Sequence, residues 1–302
     1  MQTPLVSAIM PLYNGAKTVR AAVESVLAQS YSPIEFIIVD DASTDESLSI
    51  LEPYQGRVRI IARKTNSGVC AAARAEAIAM ASGKYCAFID QDDLWEPTKI
   101  ARQVELMEAH PDIPLCHTYM RVIDGDGREL EVRHEGRIPA SGMCARELLQ
   151  HCFITASAIM VRPESWVEAK RAIGYTHANT DTETFLSLLQ RHPAGFGFIP
   201  QVLGAYRRWP QSMSRQNWKW SPEDVNALDR VYAGRYWEGL LEEREVKEII
   251  AEAYWKNAEH WRHAGYTDRS RYFAQRGLRY GPTWLPLYGA WIKALLKGRG
   301  PR

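Results

Sequence analysis

The chain has 302 residues, 46% hydrophobic and 24% charged, the composition of a folded globular protein with ample material for a core. Its 37 Lys and Arg balance 36 Asp and Glu to a net charge of +1, so bulk charge does not hold it to nucleic acid, and any phosphate must be met by local groups. Five cysteines (70, 86, 116, 144 and 152), an odd count without a CxxC pair, argue against a disulfide framework or structural zinc and for a reducing cytoplasm. The N-terminal MQTPLVSAIMPLYN does not read as a signal peptide, and no run reaches the ~18 apolar residues needed to span a bilayer.

Val6–Met10 is a short apolar run that predicts a strand, and Val19, Ala22, Val23, Val26 and Leu27 have helical spacing. Phe36–Val39 predicts a second strand, ending in Asp40 and Asp41, and Ser43-Thr44-Asp45-Glu46 reads as a capping box opening a helix through Leu51. Val58–Ala62 predicts a third strand, residues 68–82 an Ala-rich helix, and Tyr85–Ile89 a fourth strand closing in Asp90. This alternation implies an α/β fold with a mostly parallel sheet flanked by helices. Further on, Pro97–His110 predicts a helix, Pro114–Ile123 a strand, Asp124–Gly127 a turn, Ser157–Val161 a strand, Asp181–Arg191 a helix and Phe196–Arg207 a last strand. After about residue 216 the content shifts to Trp, Tyr, Glu and Arg, and Pro222–Trp237, Glu242–Ala264 and Thr267–Leu278 predict helices. The expected organisation is an α/β domain over residues 1–215 and a helical C-terminal region over 216–302.

Neither GxGxxG nor GxxxxGK[ST] occurs after the first strand, which disfavours dinucleotide-binding and P-loop proteins. The strands end in carboxylates instead. Ligands of open α/β sheets bind beyond the carboxyl ends of strands, so Asp40-Asp41 and Asp90-Gln91-Asp92-Asp93 should converge on one crevice. Three neighbouring carboxylates repel one another, and Mg2+ or Mn2+ resolves this by sharing oxygen ligands with a substrate phosphate. The same residues also read as a solvated acidic turn capping the next helix. In Pro11-Leu12-Tyr13-Asn14, the tyrosine is placed to stack on a nucleobase, or simply stands in a surface turn. Arg207 and Arg208 would grip a diphosphate or anionic acceptor, or merely end a surface strand.

Taken together, three stretches resemble the inverting family-2 glycosyltransferases of GT-A fold. They are VSAIMPLYNGAKTVRAAVESVLAQSYSPIEFIIVDDASTDES, NSGVCAAARAEAIAMASGKYCAFIDQDDLWEPTKI, and NTDTETFLSLLQRHP with YRRWPQSMS. The resemblance implies nucleotide binding by Pro11, Tyr13, Asn14, Asp40, Asp41, Asn66, Gly68, Arg74, Asp90 and Asp92, with Asp41 at a pyrimidine base. It further implies a metal–diphosphate at Asp92 and Asp93 and a general base at Asp181, which on its own reads as a helix N-cap. Ala75 stands where the family often has Asn after the helix arginine, Thr180 where it often has Glu, and Trp209 where it usually has His.

The implied partners are a nucleoside diphosphate sugar, UDP-sugar favoured, and a glycan or lipid-linked acceptor, in cell-surface polysaccharide synthesis. One carboxylate base without a carboxylate nucleophile implies single displacement with inversion. Two other readings stand beside it: a sugar nucleotidyltransferase, whose Gly-rich basic loop PLYNGAKT matches poorly, and a non-catalytic nucleotide-sugar-binding or scaffold protein. In residues 284–302, Trp284, Leu287, Tyr288, Trp291, Ile292, Leu295 and Leu296 share a helical face beside Lys293, Lys297, Arg299 and Arg302. That segment suits peripheral contact with the inner face of a membrane, or docking on the protein's own body or a second subunit.

Overall fold

The computed structural model describes residues 3–132, 142–174, 181–208 and 222–281, together with 286, 288–290 and 293. At its centre, β1 (Val6–Leu12) is buried along its whole length between β2 (Ile34–Asp40) and β4 (Tyr85–Phe88), parallel to both, and β3 (Arg59–Ala62) lies parallel outside β2. The other strands are β5 (Leu94–Trp95), β6 (Leu115–Ile123), β7 (Glu129–Val132), β8 (Met160–Val161) and β9 (Gly197–Arg207). Among the described residues the sheet has nine strands in the order β3-β2-β1-β4-β8-β6-β9-β5, with β7 paired to β6. The parallel pairing expected from the strand–helix alternation holds from β3 to β4. Beyond β4 the sheet is mixed: β8 runs antiparallel to β4 and β6, while β9 is parallel to β6 and antiparallel to β5.

Alternation along the strands builds two cores, one per face. Ala8, Met10, Phe36 and Ile38 point into the core covered by α1 (Val19–Leu27) and α4 (Lys99–Ala109). Ile9, Ile37, Val39 and Phe88 point into the other, under α3 (Cys70–Ala79), α5 (Ala145–Gln150), α6 (Pro163–Ile173) and α7 (Asp181–Arg191). This second core continues into α8 (Pro222–Ala233), α9 (Glu243–His263) and α10 (Thr267–Gly277) through Val231, Val246, Ile250, Tyr254 and Phe273. The domain boundary expected near residue 216 lies outside the described residues, and one continuous core joins the elements on its two sides.

Two expected features differ. Ser157–Val161 is not one strand: Ala156–Ala158 form a 3-10 turn, and only Met160–Val161 pair in the sheet, because the backbone carbonyls of Ser157 and Ala158 accept hydrogen bonds from Trp95 and Gln103. The Ser43–Glu46 capping box does not form before α2 (Ser47–Leu51). Asp45 accepts from the Ser47 N–H instead, while Ser43 Oγ is taken by the Asn14 N–H. No helix among the described residues is long and apolar enough to cross a membrane. Trp209 lies outside the described residues, as do Trp284, Leu287, Trp291, Ile292, Leu295, Leu296, Lys297, Arg299 and Arg302 of the tail.

Candidate active site

The carboxyl ends of β1, β2 and β4 form the floor of the site. Between β1 and α1 the chain turns sharply, with Asn14 in the left-handed region at φ 49. Four successive amides of this loop are consumed inside the protein. Tyr13 N–H donates to Gln91 Oε1 (2.7 Å), Asn14 N–H to Ser43 Oγ (2.9 Å), Gly15 N–H to Ser47 Oγ (2.8 Å) and Ala16 N–H to Asp45 Oδ2 (3.0 Å). Phosphate-binding loops work by leaving such amides for the ligand, and this one keeps none of the four. What it presents is the Tyr13 ring, 45% exposed, and the side of Asn14, whose Oδ1 accepts from Thr44 N–H at 2.8 Å.

At the end of β2 the two aspartates diverge. Asp40 is buried; Oδ2 accepts from Ser43 N–H at 3.1 Å, and Oδ1 has no hydrogen-bond partner among the described residues. Asp41, also buried, takes Arg63 Nη1 at 2.5 Å and both the N–H and hydroxyl of Ser67, at 3.0 and 2.7 Å on Oδ2. The next loop closes on itself through Gly68 N–H to Asn66 Oδ1 (2.5 Å), with Gly68 at φ +78. Pro11 is buried within β1, one residue before its carboxyl end.

Arg74, buried in α3, reaches Asp90 Oδ1 with Nη2 at 3.0 Å and lies over the Phe88 ring. Burial works against its charge, but the field of Asp90, joined by Cys70 and Asp181, holds it above the ordinary arginine range. Asp181, the first residue of α7, thus acts on the same guanidinium as Asp90. Lys170 of α6 is buried in this neighbourhood, and burial lowers it to about 8 despite the opposing pull of Asp181. Cys70 stands in the same field, and its thiol is raised, first by burial.

The acidic turn 90–93 is braced from within. Asp93 is 1% exposed; Oδ1 accepts from Arg207 N–H (2.9 Å) and Oδ2 from Ser157 Oγ (2.5 Å). Burial, then Asp92 and Asp90, raise its carboxyl well above the ordinary range. Arg207 is buried and engaged with the backbone around the turn. Its Nε donates to the Asp92 carbonyl (2.9 Å) and its Nη1 to the carbonyls of Asp124 (3.1 Å) and Gly125 (3.0 Å), while Arg208 pairs with Glu131 at 2.8 Å. Asp90 and Asp92 are half-buried at the crevice. Among the described residues no three His, Cys, Asp or Glu side chains converge as a closed metal cage. The half-buried carboxylates of Asp90 and Asp92 are hard oxygen donors of the kind that suits Mg2+ or Mn2+ completing its shell with phosphate and water.

The structure brings Tyr13, Asn14, Asp41, Arg74, Asp90, Asp92 and Asp181 to one end of the sheet, while Asp40 and Asp93 turn inward. Gln91, Arg63, Ser67, Ser157 and Arg207 hold them there. Gln91 and Arg207 lie in stretches the sequence marks, but the bracing role of all five is not legible locally, since their bonds reach across 22 to 115 residues.

The family model described as Glycosyl transferase family 2 matches residues 7–168. A Bacillus subtilis (strain 168) protein assigned to teichuronic acid biosynthesis, the glycosyltransferase TuaG, is 32% identical over 219 residues, 72% of this chain and 84% of that one. An Escherichia coli protein, the UDP-Glc:alpha-D-GlcNAc-diphosphoundecaprenol beta-1,3-glucosyltransferase WfaP, is 47% identical over 105 residues, 34% of this chain and 41% of its own length. Among solved structures, S. aureus TarS 1-349 in complex with UDP-GlcNAc superposes with a TM-score of 0.66 at 18% identity, over 96% of this chain and 79% of that one. The mannosyltransferase PcManGT from Pyrobaculum calidifontis, in complex with GDP-Man and Mn2+, gives 0.57 at 16%, over 98% and 87%. With its GT-A arrangement of sheet and helices, the chain belongs to glycosyl transferase family 2 and is a glycosyltransferase.

Proposed function

We propose that this glycosyltransferase moves a sugar from a nucleoside diphosphate sugar, UDP-linked by preference, to a hydroxyl of a glycan or lipid-linked acceptor, by single displacement with inversion. The observation that carries this reading is the field at Arg74. Asp90 pairs with its guanidinium at 3.0 Å and the charge of Asp181 reaches the same group, which supports a carboxylate base in the neighbourhood of the acidic turn. TarS with UDP-GlcNAc and PcManGT with GDP-Man and Mn2+ support a nucleotide-sugar donor and a divalent ion. The roles assigned to TuaG and WfaP support surface polysaccharide synthesis.

Each residue then has a task. Tyr13 stacks on the base. Asp41, with Ser67 and Arg63 around it, presents acceptor and donor groups to the base edge. Asn66 and Gly68 shape the loop beside it, and Asn14 and Asp90 line the ribose. Asp92 would hold Mg2+ or Mn2+, with Asp93 supporting the turn from inside. When bound, the ion supplies positive charge to the departing diphosphate, a charge the β1–α1 loop does not offer through its four engaged amides. Asp181 accepts the proton of the attacking hydroxyl, a role worth about 10²–10⁴ in rate.

The test is a thermal-shift screen of nucleoside diphosphates and their sugars with and without Mn2+, followed by donor turnover in Asp181→Asn. A shift by UDP that requires Mn2+, with turnover lost in Asp181→Asn while the shift persists, is the expected result. Unchanged turnover in that variant sinks the assignment of the base and favours a binding protein.

A further inference from the structure

Ser157 lies on the 3-10 turn between α5 and β8, fully buried, and 64 residues from Asp93 in sequence. Its hydroxyl carries one proton, which goes to Asp93 Oδ2 at 2.5 Å. Its oxygen accepts the Asp90 N–H at 2.9 Å. A single hydroxyl therefore ties the first residue of the acidic turn to the last, through the backbone at one end and the carboxylate at the other. The 3-10 turn is itself gripped by two side chains from β5 and α4, just beyond the acidic turn. Trp95 Nε1 donates to the Ser157 carbonyl at 3.0 Å, and Gln103 Nε2 to the Ala158 carbonyl at 3.0 Å. The position of Ser157 is thus fixed independently of the turn it supports.

We propose that Ser157 is a positioning residue for donor binding: by holding Asp93 inward and the Asp90 backbone in place, it sets the Asp92 carboxylate toward the cation–diphosphate of the donor. This rests on the reading that the 90–93 turn holds a divalent ion together with the diphosphate. Nothing at position 157 but a hydroxyl makes both bonds. An alanine there leaves a buried carboxylate oxygen and a buried N–H unpaired, and the cheapest relief is for the turn itself to shift. Arg207 still holds the opposite side of the same carboxylate and the Asp92 carbonyl, so the shift is expected at the Asp90 end of the turn, which loses its side-chain anchor.

The experiment measures the Mn2+ concentration for half-maximal UDP-dependent stabilisation in the wild type, Ser157→Ala, Asp92→Asn, Asp93→Asn and the double variant Ser157→Ala/Asp93→Asn. Circular dichroism and the melting point without ligand check the fold. In Ser157→Ala the half-maximal Mn2+ concentration is expected to rise about tenfold and kcat to fall about tenfold, with acceptor KM within about twofold. Asp92→Asn should abolish the Mn2+-dependent stabilisation, Asp93→Asn should raise the half-maximal Mn2+ concentration, and the double variant should fall short of the sum of its two single changes, because they share the Ser157–Asp93 bond while the Asp90 N–H bond is lost only with Ser157. Trp95→Phe, which removes only the donor to the Ser157 carbonyl, should raise the half-maximal concentration about threefold, and it serves as the readout if Ser157→Ala does not fold. A wild-type Mn2+ dependence in folded Ser157→Ala, or additive effects in the double variant, overturns the proposal. A wild type whose UDP response ignores Mn2+ overturns the underlying reading first, and the two failures are distinct.

Discussion

Arg230 of α8 closes a two-point ion pair on Glu183, Nε to Oε1 at 2.6 Å and Nη2 to Oε2 at 3.3 Å. Glu183 stands two residues after Asp181 on α7, and its side chain is only 2% exposed. The C-terminal helices therefore hold the helix that carries the proposed base. Arg230→Met keeps the stem and removes the charge, leaving a buried carboxylate unpaired. The cost expected is about 2–4 kcal/mol, toward the low end of what breaking a buried pair costs because the arginine is partly exposed. Melting should fall by several degrees and kcat by about tenfold, with UDP affinity retained. Adding Glu183→Met should recover part of the stability. A variant that melts and turns over like the wild type would remove the coupling.

Gln91 reads both sides of Tyr13: its Oε1 accepts the Tyr13 N–H at 2.7 Å and its Nε2 donates to the Tyr13 carbonyl at 2.9 Å. The residue between two candidate ligands thus sets the aromatic platform, and Gly15 leaves it room, since a Cβ there would lie 2.9 Å from the Gln91 side chain. Gln91→Ala removes two bonds on a half-exposed loop. UDP affinity should weaken about tenfold while the ligand-free melting point stays within a few degrees. Equal affinity by calorimetric titration would show that Tyr13 needs no such support.

The first four strands and α1 are legible in the sequence because apolar runs or helical spacing mark each within a few residues, whereas α2 is read from a capping box that does not form. Val19, Val23 and Val26 advertise one face of α1, and the apolar runs of β1 and β2 are buried on both faces of the sheet. The site residues at strand ends are legible for the same reason, since Asp41 and Asp90 follow directly from where those runs stop. β7 is not, because Glu129–Val132 is an edge strand of only four residues, and its Glu-Leu-Glu-Val alternation meets no core: three of the four are exposed. Ser157 reads as the start of a strand because its neighbours Ala158–Val161 are apolar. What makes it a turn is Trp95 and Gln103, 62 and 55 residues away from their acceptors. Asp93 is visible as an acidic residue, but its inward turn depends on Arg207, which lies 114 residues further along.

His117 of β6 is buried beside Phe198, with ring centroids 4.8 Å apart, and faces Phe153 at 5.8 Å. Burial alone lowers it to about 3, against 6.5 for the exposed side chain. Below pH 6.5 the unfolded chain takes a proton that the folded chain refuses. Stability is therefore lost as pH falls from about 6.5 to about 3, by about 1.4 kcal/mol per unit from this group. His117→Phe should flatten that part of the acid limb in urea titrations, relative to the wild type. Parallel acid limbs would mean that the imidazole accepts its proton in place.

Lys99 provides the opposite limb. It is fully buried at the start of α4, donates to Gln103 Oε1 at 2.5 Å and lies 4.3 Å from the Trp95 ring centre. Burial lowers it from 10.5 to about 7. Above 10.5 both states are neutral at this side chain; as pH falls toward 7 the unfolded chain binds a proton that the folded chain does not, and below 7 the penalty is complete and constant. Stability should therefore rise with pH between about 7 and about 10, by up to about 1.4 kcal/mol per unit from Lys99. Lys170, lowered to about 8, adds to the same slope over a narrower range. Lys99→Met removes one proton from the balance but also strips Gln103 of a partner, so its absolute stability can shift either way. The informative quantity is the slope. Subtracting the variant's urea-derived stability from the wild type's at each pH should leave a line that climbs from about pH 7 and levels off near the ordinary lysine range. A flat difference would mean that the ammonium stays charged inside the protein, sustained by the Trp95 face and the Gln103 carbonyl.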